Sequence, residues 1–189
     1  FYRKKFVVTI HDLIHHLFKE TSVTTKNSVA FGAKRIGYKF IFANAVVKSQ
    51  KILVPSQFVK NEILKNYKIS KDKIVITYEA AEEEYYEKIT NYKLQITNSL
   101  LYVGNAYPHK NLNKLLDAVK ILATTHHLSA ICLTIVCPRD VFSERLAKEV
   151  KIRDLEKHVK IRGYLAPQVL KKLFLNSSLY VFPSLAEGF

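Results

Sequence analysis

Short β-branched runs alternate along the chain with longer stretches whose apolar residues recur every three or four positions. The first pattern suits strands and the second helices. Phe6-Val7-Val8-Thr9-Ile10 reads as a buried parallel strand that ends at His11-Asp12. From Asn27 to Lys48 the period is helical, with Phe31, Ala33, Ile36, Phe40, Ala43 and Val47 largely on one side and Lys34, Arg35 and Lys39 elsewhere. Lys51-Ile52-Leu53-Val54-Pro55 predicts a short strand, Ser56 an N-cap for a helix reaching Tyr67, and Lys73-Ile74-Val75-Ile76-Thr77 the next strand.

Residues 79–98 interrupt this order with four glutamates between Glu82 and Glu87 and the near-repeat Ile89-Thr90-Asn91 and Ile96-Thr97-Asn98. Beyond them the alternation resumes, with strands at Leu100–Val103, Ala130–Val136, Val159–Ile161 and Leu179–Phe182. Helices are expected over Asn111–Thr124, Phe142–Glu156 and Gln168–Leu175, and loop chemistry from Pro183 to Phe189. Strand-helix alternation is the signature of a parallel sheet covered by helices. Neither half has enough strands for a usual doubly wound sheet. The expectation is an α/β chain of two Rossmann-like domains, residues 1–80 and 99–189, both incomplete, with a linker or insertion at 81–98.

Composition narrows the class. Apolar residues make up 48% of the chain, ample for packed cores, yet no run approaches the roughly 18 residues of a membrane span. With no Met in the chain the natural start is expected upstream, and Phe1-Tyr2-Arg3-Lys4-Lys5 does not resemble the opening of a signal peptide. Cys132 and Cys137 flank the apolar run Leu133-Thr134-Ile135-Val136, so both are expected as buried thiols. The net charge of +14 is uneven: residues 1–73 carry 15 Lys and Arg against 4 Asp and Glu, residues 74–189 carry 15 against 12. A basic surface attracts nucleic acid, anionic lipid headgroups or nucleotide-linked substrates, and a merely solvated lysine-rich face is the plain alternative.

Three predicted strand ends gather polar or glycine-rich residues: His11-Asp12, Gly104 to Asn111, and Ser184 to Phe189. The middle one is the most telling. Gly104 directly after a strand lets backbone approach a ligand, and Lys110 at the mouth of the next helix adds a charge to its N-terminal dipole. Together they suit a diphosphate. The spacing is neither a Walker loop nor a dinucleotide fingerprint, and the histidines and acids lack metal-ligand spacing. A basic nucleic-acid-binding protein is the rival reading. Against it, the tyrosines and phenylalanines fall mostly in apolar periodic segments and no recognition motif is present.

The series of motifs resembles the retaining GT-B glycosyltransferases of family 4, the glycosyl transferases group 1. Val8-Thr9-Ile10-His11-Asp12-Leu13 is similar to the strand and HDL turn of its acceptor domain, and Lys51 to Thr77 to its VPSxFxKxxI and KIxVI segment. Tyr102 to Leu112 is similar to the opening of its donor domain. Arg162-Gly163-Tyr164-Leu165 and Val181 to Phe189 are similar to its GYL and FPSxxEGFG elements.

That resemblance implies a hexosyltransferase moving a sugar, mannose from GDP-mannose being one candidate, to a glycan or lipid-linked acceptor in surface polysaccharide assembly. It implies donor-binding residues Gly104, Asn105, Lys110, Glu187, Gly188 and Phe189 and catalytic residues His11 and Glu187. Glu187 matches the first glutamate of the family's EX7E pair, the second falling beyond Phe189. His11 matches the histidine that meets the transferred sugar. Asn105 stands where many members carry an arginine, Cys137 where a glycine is frequent, and Glu79-Ala80-Ala81 where asparagine-glycine is commoner. The implied enzyme needs neither cofactor nor metal, works in the cytoplasm with its basic first domain against an anionic membrane, and binds no nucleic acid. An inactive fragment of such an enzyme is the alternative.

Overall fold

A computed structural model describes residues 4–18, 28–80, 98–125 and 130–189. The expected linker at 81–98 lies outside the described residues except for Asn98, as does Asn27 at the expected helix start. The chain forms two compact units, Phe1–Lys88 with Ala186–Phe189, and Ile89–Leu185.

The first unit holds strands β1 (Val7–Thr9), β2 (Lys51–Val54) and β3 (Ile74–Ile76) and helices α1 (Ile14–Leu17), α2 (Ser28–Lys48) and α3 (Gln57–Asn66). The strands are parallel in the order β1-β2-β3, with Val8 beside Ile52 and Ile52 beside Ile74. Alternation along each strand puts Ile10, Ile52, Val54 and Ile74 on one face, where they pack with Val46 of α2 and Val59 and Ile63 of α3. On the other face Val7 and Val75 stay 54% and 41% exposed. Ser56 caps α3 as its sequence position suggests, its hydroxyl accepting from the Val59 amide at 3.3 Å.

The apolar side read for α2 is inverted. Ala33, Ile36, Phe40 and Val47 are exposed, while Phe42 and Val46 turn inward. The helix is apolar on two sides, and periodicity alone could not say which one the sheet would take. Beside α2, the α1 residue His16 lies half-buried between two phenols. Its Nε2 is 2.9 Å from the Tyr67 hydroxyl and its Nδ1 3.2 Å from that of Tyr38, with the Phe42 ring 4.7 Å from its own. Burial, and then the positive charges of Lys39, Arg35 and His15, hold His16 below its ordinary 6.5. Burial, helped by Asp12 and Tyr67, pushes the Tyr38 phenol up to about 12.

The second unit contains β4 (Ser99–Val103), α4 (Leu112–Thr125), β5 (Cys132–Val136), α5 (Val141–Ile152), β6 (Val159–Arg162), α6 (Pro167–Asn176) and β7 (Leu179–Tyr180). Its four strands are parallel in the order β6-β5-β4-β7. Tyr102, Leu133, Ile135, Leu116 and Val119 form its core. Asp140 opens α5 with a capping box, its carboxylate accepting from the Phe142 and Ser143 amides at 2.9 Å. The helix expected to reach Glu156 stops at Ile152, because Asp154 adopts φ 57 and swings Leu155 inward to 2% exposure. Burying that leucine outweighs another half-turn of helix. Cys137 is buried, and desolvation pushes its thiol up to about 11. Cys132 is only half-buried, because its side chain alternates away from the Leu133 and Ile135 face. No described helix is long and apolar enough to cross a membrane.

Because the folded state favours neutral His16, the unfolded chain binds more protons between the folded pKa and 6.5. Stability contributed there is full above 6.5 and is lost as the pH falls through that window. Thermal midpoints measured by circular dichroism across this range should drop less steeply in His16→Gln than in the parent; equal slopes would refute the assignment.

Candidate functional site

In a parallel sheet every strand delivers its following loop to the same edge, and a ligand crevice opens where the strand order reverses. The second unit builds outward from β4 to β5 to β6, then returns to set β7 on the other flank of β4. The reversal therefore lies between β4 and β7, at the loops 104–111 and 181–185. Two hydrogen bonds hold these loops side by side: Asn111 Nδ2 donates to the Pro183 carbonyl at 3.1 Å, and the Leu185 amide to the His109 carbonyl at 2.8 Å.

The loop after β4 is shaped by its first residues. Gly104 has φ 154, and a Cβ on it would stand 2.8 Å from the Tyr102 hydroxyl. That hydroxyl donates to the Asn105 carbonyl at 2.7 Å from a fully buried ring. Asn105 Oδ1 accepts from the Tyr107 amide at 3.3 Å, an Asx-type turn, so this side chain helps to set the loop. A 3-10 turn over Pro108–Lys110 follows, and Asn111 in the left-handed region (φ 59) leads into α4. Asparagine tolerates that conformation well.

The turn buries Lys110 to 8% exposure, with Nζ 5.1 Å from the centre of the Phe182 ring. The ring face attracts the cation, and Phe182 stacks in turn on Tyr102 at 5.7 Å. Lys110 lies just before α4 in the chain, and the amides at that helix's N-terminus also favour an anion. In the neighbouring loop the Ser184 hydroxyl is buried without a hydrogen-bond partner. Such groups are uncommon in folded proteins and mark sites that a ligand can satisfy.

Along the same sheet edge, a cleft of about 710 Å3 is lined by Pro138, Arg139, Ile161, Arg162, Gly163 and Tyr164. Gly163 leaves room for Arg139, whose Nε would be 3.0 Å from any Cβ there. Two guanidiniums and the 86% exposed Tyr164 give this cleft cationic and flat surfaces. Among the described residues no three His, Cys, Asp or Glu side chains are grouped to hold a metal ion.

In the first unit, His11 leaves the carboxyl end of β1. Its Nδ1 lies 3.0 Å from Glu79 Oε1, which fixes the proton on Nδ1 and leaves Nε2 as the second ring nitrogen. Asp12 accepts from the Ile14 amide at 2.9 Å to start α1, and Leu13 is buried. Residues 186–189 count with this unit. A Cβ on Gly188 would fall 2.2 Å from the His11 carbonyl oxygen, so only glycine fits, and the Ser56 hydroxyl donates to the Gly188 carbonyl at 2.5 Å. Gly104, Asn105 and Lys110 thus share one loop of the second unit, whereas Glu187, Gly188 and Phe189 stand with His11 in the first. Glu79, Arg139 and Ser184 were not singled out by sequence. Glu79 lies 68 positions from His11 and nothing local links them. For Ser184 the signals were its place at the third polar strand end and within the FPS element.

Residues 82–189, more than half of the chain, match the model of the family described as glycosyl transferases group 1. The chain belongs to that family. As a group 1 glycosyltransferase sequence it is 26% identical, over all of its length and 52% of the relative's, to an O-antigen chain mannosyltransferase of Salmonella typhimurium. It is 25% identical, over 97% of its length and 48% of the relative's, to O-antigen chain mannosyltransferase B of Escherichia coli. The chain spans about half the length of the curated relatives it matches.

Solved structures of the same fold include sucrose-phosphate synthase from Thermosynechococcus elongatus, with TM-score 0.71, 15% identity, and coverage of 100% of this chain and 46% of that one. WaaG, a glycosyltransferase involved in lipopolysaccharide biosynthesis, gives TM-score 0.71 at 14% identity over 96% and 51%. Anabaena HepE in complex with UDP and glucose gives 0.69 at 15% over 98% and 48%. The fold of this group 1 transferase chain is GT-B, with Rossmann-like units.

Gly104→Ala combines a left-handed backbone with the displacement of Tyr102, and should cost about 2–3 kcal/mol. Urea denaturation checks this; a loss below about 0.5 kcal/mol would show that the loop does not require glycine.

Proposed function

We propose that this chain is part of a retaining hexosyltransferase that carries a sugar, mannose from GDP-mannose in the first instance, to a glycan or lipid-linked acceptor during surface polysaccharide assembly. One observation carries the reading: the buried ammonium of Lys110 at the mouth of α4, in the crevice where the strand order reverses. Negative charge grows on a nucleoside diphosphate as its bond to the sugar breaks, and a fixed cation beside oriented amides stabilises it most at that moment. Ser184 supplies a further donor. The cleft with Arg139, Arg162 and Tyr164 suits the remainder of a nucleotide.

The names of the O-antigen mannosyltransferases support the sugar and the polysaccharide, and the UDP bound to HepE supports a nucleotide-linked donor. Lys110 and the amides take the charge that a metal neutralises in other transferases, so the proposed reaction is metal-independent. The acceptor oxygen bonds to the anomeric carbon on the face from which the phosphate oxygen departs and gives its proton to that phosphate, so the configuration is retained without a nucleophilic carboxylate pair. His11, its tautomer set by Glu79, orients hydroxyls of the transferred sugar through Nε2, and Glu187 contacts the donor sugar or its ribose. The enzyme is proposed to act in the cytoplasm.

Calorimetric titration with GDP and GDP-mannose tests the donor site. Lys110→Ala should weaken binding about 30-fold, roughly 2 kcal/mol, and Ser184→Ala about fivefold, roughly 1 kcal/mol. Unchanged affinity in Lys110→Ala would overturn the assignment. His11→Ala, assayed in the full-length protein with a lipid-linked acceptor, should lower kcat at least about tenfold with little change in donor affinity. A purely binding defect would remove His11 from the chemistry.

A further inference from the structure

The inward face of α2 changes character along its length. Val46 lies in the core of the first unit and Phe42 packs against it. Tyr38, Lys39 and Arg35 continue that face toward the start of the helix, at the spacings that bring side chains on successive turns together. Helix α1 meets this end, with the His15 and His16 rings 5.5 and 5.2 Å from that of Tyr38. Besides burial, the charges of Lys39, Arg35 and His15 all press on His16. The acid that reaches the cluster is Asp12, which adds to the effect of burial on the Tyr38 phenol and whose Oδ1 is committed to the Ile14 amide.

Arg35 carries the sharper signal. Its Nε is buried without a hydrogen-bond partner, and among the described residues neither Arg35 nor Lys39 is ion-paired. A guanidinium N–H shut away from water is costly until an acceptor reaches it. The fixed charges select that acceptor. A guanidinium and an ammonium one turn apart would leave one charge unmatched by a single carboxylate, whereas a phosphate or diphosphate brings about two charges or more, and oxygens for the guanidinium fork.

His16 adds an adjustable third charge. When neutral, it accepts from one phenol and donates to the other, Tyr38 and Tyr67 being its two partners. On taking a proton from water, both ring N–H groups donate, and the phenol hydrogen that had served the imidazole is released to an anion. We propose that Arg35, Lys39 and His16, with the Tyr38 hydroxyl, form a binding site for a phosphate or diphosphate group on the first unit, in addition to the crevice of Lys110 in the second. This site goes beyond the transferase reading and does not rest on it, since its residues are none of those assigned to the donor or the transferred sugar.

The full chain carrying Lys110→Ala lacks the cation of the crevice and isolates the new site. Inorganic pyrophosphate should shift the His16 ring signals in its NMR spectrum saturably, the signals being assigned by their loss in His16→Gln. It should also raise the midpoint of the His16 titration by about one pH unit, because an anion beside the imidazole favours its charged form. Arg35→Gln and Lys39→Gln, each in that background, should weaken pyrophosphate at least about tenfold with the circular dichroism spectrum unchanged. Lys39 is exposed, so its substitution leaves packing intact. Farnesyl diphosphate separates the sources of the group: tighter binding than pyrophosphate supports a site for a phosphate carried on a lipid chain, and equal binding supports a site for the bare group. Unmoved His16 signals at millimolar pyrophosphate overturn the proposal. So does an affinity that Lys39→Gln and Arg35→Gln leave unchanged, which would make the cluster purely structural.

Discussion

The ammonium of Lys110 over the Phe182 ring is the contact around which the crevice of the second unit is built. A lysine side chain at 8% exposure faces a desolvation cost, and the π-face of Phe182 offsets part of it. Phe182 is in turn oriented by the fully buried ring of Tyr102, whose hydroxyl shapes the loop that carries Lys110. The three side chains form a closed circuit: β4 supplies the Tyr102 ring, the loop after β7 the Phe182 platform, and the loop after β4 the charge. Any anion in the crevice then meets a cation that is already in place, with little reorganisation left to perform.

The first unit uses backbone closeness where the second uses charge. His11 closes on Gly188 through its main-chain carbonyl, which dictates glycine there, and the Ser56 hydroxyl donates to the Gly188 carbonyl. The HDL turn divides its labour: Leu13 anchors in the core, Asp12 starts a helix, and His11 is left projecting with Glu79 on one ring nitrogen.

Much of this was legible in the sequence. Strand and helix positions follow from period, and strand ends mark where chemistry gathers, because a parallel sheet leaves no other place for polar residues. Lys110 could be singled out for that reason. What remained hidden depends on partners far apart in the chain. Glu79 is 68 positions from His11, and the inward turn at Asp154 was set by a buried leucine rather than by a helix-breaking residue. For α2 the period was right and the side was wrong, since a helix with two apolar faces does not declare which one is core.

The bond from Asn111 to the Pro183 carbonyl spans 72 positions. Its consequence lies in the order of events during synthesis. As the chain emerges from the ribosome, β4, β5 and β6 can pair while the loop of Lys110 still lacks its neighbour. Only when β7 has docked beside β4 do the aromatic platform and the bracing carbonyl exist. The crevice thus forms only after β7 has paired, so a nascent chain that ends before β7 holds Lys110 on a loop with neither of these neighbours.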